Sequence, residues 1–422
     1  MARAFLASNL ANNGHVVYIF EHTFFDRNKW LFPGIYIGKN CFKTEVPYIK
    51  TYYKKMKECG VNVWHLDEEG GVYSGNIDDQ RDILTYRLEA RDLDEADKIL
   101  TWGNWQKQVF DSKNPRAEVV VSGSPNFDIF QEKYKYNLKN WDLDVTGGRK
   151  DFILVNTRFS NGNPKMGVQH RFNKKQPDSG RDTEFYMEEA YIANNKLLFG
   201  FIELCIYLAR ELPDTEIVIR PHPSESHDIY KILTKKLHNI CVTSSGGVES
   251  WIRMSKVLIH NGCTTAIQSI VAKQNVVTYI PNDVTAIEDK FTAYLPNTIG
   301  RIAHTHDDVL SFINKPYFNQ SKIWMDTVSR LDSIEYISEL VNREPTRSVD
   351  TLFNSKYRLF LREKMKDIVM KGINYMTPNR KHKRFNYKEF SKIVDLVEIA
   401  NKHYKSNVKY KKITNGCYCI YK

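Results

Sequence analysis

The chain runs to 422 residues with 42% hydrophobic and 26% charged side chains, which suits a soluble globular protein of two domains and an appendage. No run reaches the ~18–20 apolar residues of a membrane span, no secretory signal opens the chain, and seven scattered cysteines form neither a disulfide framework nor a zinc pattern. The net charge of +11 is uneven: residues 351–422 hold 18 Lys/Arg against 5 Asp/Glu, an excess of 13, so the rest sums to about −2.

Residues 2–13 read as a helix, and Gly14 separates it from an apolar strand at His15-Val16-Val17-Tyr18-Ile19-Phe20. That is the second half of a βαβ unit whose first strand either precedes the given residues or is supplied by another segment. Alternation continues with a helix near Tyr48–Cys59, a strand Val61-Asn62-Val63-Trp64-His65-Leu66, helices near 80–97 and 103–112, and short strands at Lys98-Ile99-Leu100 and Ala117-Glu118-Val119-Val120-Val121. The 61–66 strand runs into Asp67-Glu68-Glu69-Gly70-Gly71. A carboxylate on such a turn can take a proton from a hydroxyl or attack an anomeric carbon. The same run also reads as a solvated acidic turn.

Residues 131–150 read as a linker, and a second α/β series opens with Phe152-Ile153-Leu154-Val155-Asn156. An aperiodic polar segment, Arg158 to Asp182, has the length of a lid or binding loop. A long helix near 184–211 follows, then strands ending at Arg220, Thr243, His260 and Tyr279, and helices near 308–314 and 323–342. The expected division is 1–135, a linker at 136–150, a second domain at 151–345 and a basic extension at 346–422.

Two turns in the second series carry the most information: Arg220-Pro221-His222-Pro223 and His260-Asn261-Gly262-Cys263-Thr264-Thr265. Each follows a buried apolar strand, and the second opens into a helical pattern. A strand, a small polar turn and a helix together aim backbone N–H groups at an anion. Arg220 and His222 add donors for a phosphate, Gly262 permits close backbone approach, and Thr264 and Thr265 are expected to cap the helix. Ser245, in the Ser244-Ser245-Gly246-Gly247 turn, is a further candidate. His260 reads equally as a core histidine, and neither a Walker nor a GxGxxG pattern is present.

Taken in order, the 67–70 turn, Trp102-Gly103, the Ser122–Asp128 segment and the turns at 220–223 and 260–265 resemble bacterial surface-carbohydrate biosynthesis proteins of GT-B type. More broadly they resemble transferases that use CMP-activated acidic sugars (3-deoxy-octulosonic, sialic and other nonulosonic acids). The resemblance implies an α/β fold of two doubly wound Rossmann-type domains facing a cleft, plus a basic, largely helical C-terminal extension. It implies a donor phosphate held by His222 and the Thr264/Thr265 turn, and a catalytic carboxylate among Asp67, Glu68 and Glu69; with Arg220, Asn261, Gly262 and Ser245 from the turns themselves, these are the expected site residues.

No bound cofactor or metal is expected, because Arg220, His222 and helix N-termini offset the phosphate charge. The expected partners are a CMP-sugar donor and a glycan or lipid-linked glycan acceptor, with the protein in the cytoplasm at the inner face of the cell membrane. The 351–422 segment, with Lys381-His382-Lys383-Arg384 among Phe385, Tyr387 and Phe390, suits an anionic membrane better than nucleic acid. It also reads as a solvated appendage packed through Phe390, Ile393, Val394 and Val397. Three other readings stay open: a UDP-sugar transferase or 2-epimerase, a polyol-phosphate transferase, and a non-catalytic membrane-docking protein.

Overall fold

The computed structural model describes residues 1–20, 33–39, 47–67, 75, 77–172, 186–282, 291, 293–315, 326–345, 392–414 and 417–422. The chain divides into two compact units, one of residues 1–68, 88–129 and 328–422, the other of residues 69–87 and 130–327.

In the first unit, strands β1 (Val17–Phe20), β2 (Gly34–Gly38), β3 (Val61–Leu66), β4 (Lys98–Thr101) and β5 (Glu118–Val121) come from the N-terminal sequence. β2 to β5 form a parallel sheet in sequential order. β1, expected as a strand of the N-terminal βαβ series, does not join that sheet. It pairs antiparallel with a C-terminal strand.

The tail contributes more than helix. The described part holds the helix Ile393–Tyr404 and then a pair of antiparallel strands, β12 (Lys409–Thr414) and β13 (Cys417–Tyr421), with β13 seated between β12 and β1. Ala7 and Ala11 of the N-terminal helix bury against Val397, Val408 and Ile420, and Phe5 meets His403 edge-on at 5.8 Å. The helix Ser333–Arg343 belongs here too, because Asp128 accepts the Ile334 N–H at 2.6 Å inside its first turn. The 328–345 segment, which the sequence division had in the second domain, therefore packs with the N-terminal unit, and so does the described part of the tail, which that division had as a separate extension. Strand pairing and burial explain why: β13 pairs with the edge of β1, and the apolar side of the helix Ala2–Asn12 buries against Val397, Val408 and Ile420. Residues 346–391, including the 381–390 basic cluster, lie outside the described residues.

The second unit holds β6 (Phe152–Asn156), β7 (Ile217–Arg220), β8 (Ile240–Val242), β9 (Ser255–His260), β10 (Asn275–Tyr279) and β11 (Arg301–Ala303). All pair in parallel in the order β11-β10-β9-β6-β7-β8. Counted within the unit this is 6-5-4-1-2-3, the doubly wound order read from its far edge, with its switch point between β6 and β9. Continuous apolar runs form these strands because a parallel sheet is covered on both faces. Ile153, Val155, Ile217, Ile219, Val257, Ile259 and Val277 share one face with the helix Tyr186–Glu211.

That helix is long and apolar enough, by length and composition, to cross a membrane, which the sequence reading did not register. Just over half of its apolar window (56%) is buried inside the protein, as expected of a core helix. The segment read as a linker is largely helical as well, Glu132–Thr146, ending at Gly147 in the left-handed conformation. Its Asp142 forms a buried two-pronged ion pair with Arg253, both bonds 2.7 Å.

Candidate functional site

Register brings four polar side chains into one row at the carboxyl edge of the second sheet. Arg220 on β7 pairs with Asn156 on β6, Asn156 with His260 on β9, and His260 with Thr278 on β10. Their predecessors, Ile219, Val155, Ile259 and Val277, lie in the core of the opposite face. The row straddles the switch point, where the connections leave for opposite faces and open a crevice.

Within the row, His260 is structural. It is fully buried, and burial pushes its imidazole pKa down to about 3. The Thr278 hydroxyl donates to the Ile299 carbonyl at 2.8 Å, so its oxygen receives the His260 Nε2–H at 3.0 Å. This leaves Nδ1 as acceptor for the Cys263 N–H at 3.5 Å. Asn156 differs. It is 4% exposed, and neither its amide nitrogen nor its amide oxygen has a hydrogen-bond partner among the described residues. Leaving such groups unpaired costs about 1–3 kcal/mol, and a native structure that does so calls for an explanation.

Arg220 holds the neighbouring turn. Its guanidinium donates to the Ser245 and Gly246 carbonyls at 2.9 and 3.0 Å and lies over Trp251, whose indole N–H also reaches the Ser245 carbonyl. Burial lowers its pKa to about 10 against the opposing charge of Glu249, so it stays cationic at neutral pH. Exposed Ser245 gives its N–H to the Thr243 hydroxyl. His222 is exposed. Its Nδ1 accepts the Ser224 N–H at 3.3 Å, which puts the proton of the neutral ring on Nε2.

The 261–265 turn is occupied with itself more than the sequence reading expected. Asn261 donates to the Tyr279 carbonyl at 3.0 Å, and the Gly262 N–H goes to the Asn297 side chain at 2.6 Å. Gly262 does adopt a positive φ of 58°, where glycine is favoured. The Arg158 guanidinium donates to the Gly262 carbonyl at 2.9 Å, which sets a second cation beside the switch point. Thr265 donates to the Cys263 sulfur at 3.0 Å. Thr264 occupies the N-cap position but makes no capping bond. Its helical φ and ψ of −54° and −23° do not suit side-chain capping, which uses an extended N-cap residue.

Sequence reasoning missed Glu225, which ties two of the site's loops together. Its carboxylate, 1% exposed, accepts from the Thr157 hydroxyl, the Phe159 and His222 N–H groups and the Tyr230 hydroxyl. Burial raises its pKa against those four bonds. The loop after β6 is stitched to the Arg-Pro-His-Pro turn again where Asn163 and Lys165 meet Ser226 and Ser224. An acidic residue two places after the second proline was the available signal.

In the first unit, Asp67 follows β3 and is buried, while Glu68 and Glu69 lie outside the described residues. Trp102 is core: 1% exposed, edge-on to Phe127 at 5.0 Å. Among the described residues no group of three or more His, Cys, Asp or Glu side chains gathers as a metal site.

No protein-family model matches the chain, and no curated protein matches it. Among solved structures it is similar to the UDP-GlcNAc 2-epimerase of Methanocaldococcus jannaschii in complex with UDP-GlcNAc and UDP, at 12% identity over 74% of this chain and 75% of that one, TM-score 0.40. It is similar also to the wall teichoic acid polymerase TagF (12%, 67% and 68%, TM-score 0.41) and to UDP-N-acetylglucosamine 2-epimerase from Rickettsia bellii (11%, 76% and 74%, TM-score 0.41). Scores of this size carry no argument about activity. The α/β class stands on the strand order above.

Proposed function

We propose that the protein is a glycosyltransferase that binds a nucleotide-activated sugar at the β6/β9 switch point and passes the sugar to a glycan. The observation that carries this reading is the buried, unpartnered Asn156 amide, set in a polar row where doubly wound sheets take their ligands. A bound nucleotide supplies the partners that the amide lacks. Arg158, Arg220 and His222 furnish positive charge and N–H donors for a phosphate.

The donor we propose is a CMP-linked acidic sugar. Arg220 already serves two carbonyls and the Gly262 N–H is already bonded, so the site suits one phosphate better than a pyrophosphate. A carboxylate among Asp67, Glu68 and Glu69 is the proposed base or nucleophile. The acceptor is a surface glycan or its lipid-linked precursor, and the basic 351–422 segment draws the protein to the anionic inner face of the membrane.

Calorimetric titration of CMP, CDP and UDP into the wild type and His222→Ala tests the reading. CMP should bind most tightly, and the variant should weaken it at least about tenfold, which is 1.4 kcal/mol. Preference for UDP would transfer the donor to the UDP-sugars. Failure of all three to bind would reduce the switch-point row to structure.

A further inference from the structure

On the other face of the second sheet, the Tyr186–Glu211 helix, residues 281–282 after β10 and residues 304–306 after β11 line an open groove of about 760 Å³. This lies within the roughly 300–1,000 Å³ range of small-molecule sites. One helix stripe lines it, at positions 192, 195, 196, 199, 200 and 203, the spacing of a single helical face. The stripe mixes chemistries: Ile192 and Phe199 are 55% and 46% exposed on a helix whose other faces are core, and Asn195, Lys196 and Glu203 stand between them. Gly200 makes the floor, since a Cβ there would sit 3.0 Å from Pro281.

The facing wall is held in place before any ligand arrives. The His306 ring packs at 5.3 Å from Tyr207 and 5.9 Å from Tyr279, and the Tyr207 hydroxyl donates to Asp307. His304 lies 2.9 Å through Nδ1 from the Ile280 carbonyl, so Nδ1 carries the proton and Nε2 of the neutral ring is an acceptor.

We propose that this groove is a glycan-binding site that anchors the acceptor chain, an assignment that rests on the transferase reading above. A sugar ring presents C–H faces and a rim of hydroxyls. The C–H faces seat on the electron-rich faces of Phe199 and of Tyr191, which also lines the groove. Asn195, Glu203 and His304 offer planar polar groups to the hydroxyls. A nucleobase is a poorer occupant, because the groove is open to solvent along the exposed Ile192–Phe199 shelf. Among the described residues Lys196 is the one lysine or arginine lining the groove, whereas the switch point gathers two guanidiniums, Arg158 and Arg220.

The test uses a printed array of bacterial surface polysaccharides, probed with the full chain as wild type, Phe199→Ala and Phe199→Trp, with CMP and UDP titrations run in parallel. The expected result is glycan binding by the wild type, at least tenfold weaker in Phe199→Ala, kept in Phe199→Trp, with nucleotide affinity and melting temperature unchanged throughout. Absence of glycan binding by the wild type, or equal binding by Phe199→Ala, would overturn the assignment. Loss of nucleotide binding in Phe199→Ala would overturn it too, by making the groove part of the donor site. Glycan binding that depends on Phe199 in a protein that takes no nucleotide would uphold the groove and remove the transferase reading instead.

Discussion

His260 and Asn156 are neighbours in one row and have opposite chemical fates. His260 is fully provided for by Thr278 and Cys263, and burial keeps it neutral. Its folded pKa, about 3, lies below the unfolded histidine value of about 6.5, so the unfolded chain takes up the proton first. Its contribution to stability is therefore full above about pH 6.5 and is lost as pH falls from there toward 3. Urea unfolding should show wild-type stability falling with acid at up to about 1.4 kcal/mol per pH unit from this group. His260→Gln should lack that component between pH 6.5 and 5. An unchanged slope would mean that the ring takes up its proton while folded. At this scale the sequence was half legible. The turns at 220–223 and 260–265 were visible as polar punctuation after apolar strands. Which of their polar groups were already bonded was not, since Asn297 and Tyr279, the partners of Gly262 and Asn261, come from distant positions in the chain.

Elements were read well where burial is two-sided. β6, β7, β9 and β10 announce themselves because a parallel strand covered on both faces is a continuous apolar run. The Glu132–Thr146 helix was missed because its buried positions recur every four residues but turn from apolar, Tyr134 and Leu138, to polar, Asp142 and Thr146. Only Arg253, far along the chain, makes a buried Asp142 sensible. The same helix fixes the turn held by Arg220. Gly246 has a φ of +69°, and a Cβ there would sit 2.5 Å from a Val145 methyl. Gly246→Ala should cost about 1–3 kcal/mol and weaken nucleotide binding, because Arg220 loses the carbonyls that aim it. Chemical denaturation with a parallel CMP titration checks both effects. A neutral substitution would show that the turn adapts without its glycine.

For the whole molecule, the sequence conveyed two α/β series and a basic tail but not how the chain returns on itself. Asn415-Gly416, the strongest two-residue hairpin signal, lies between the last two strands, yet the lysines around it read as solvated charge. In the structure Lys409, Lys411 and Lys412 are exposed on the edge strand β12, where charge discourages further pairing. Removal of residues 405–422 should therefore lower the melting temperature and open the 1–68 region to protease, since β1 and the helix behind it lose Val408 and Ile420. Unaltered melting would make the tail the detachable appendage its composition implies. The switch point itself follows from strand order, which no local pattern encodes. Asn156 was nonetheless in plain view as the one polar residue ending Phe-Ile-Leu-Val-Asn.

The proposed donor site stands on that amide being left for a ligand, so the most direct measurement is on Asn156→Leu, close in shape and without polar atoms. The two quantities to record are its unfolding free energy and its affinity for whichever of CMP, CDP and UDP the wild type binds. If the amide is kept for a ligand, the variant is more stable by about 1–3 kcal/mol, because an unsatisfied buried amide has gone, and binds nucleotide tenfold or more weakly. A variant that is less stable and binds nucleotide as before would contradict the proposed site, by showing that Asn156 serves the fold and not a ligand.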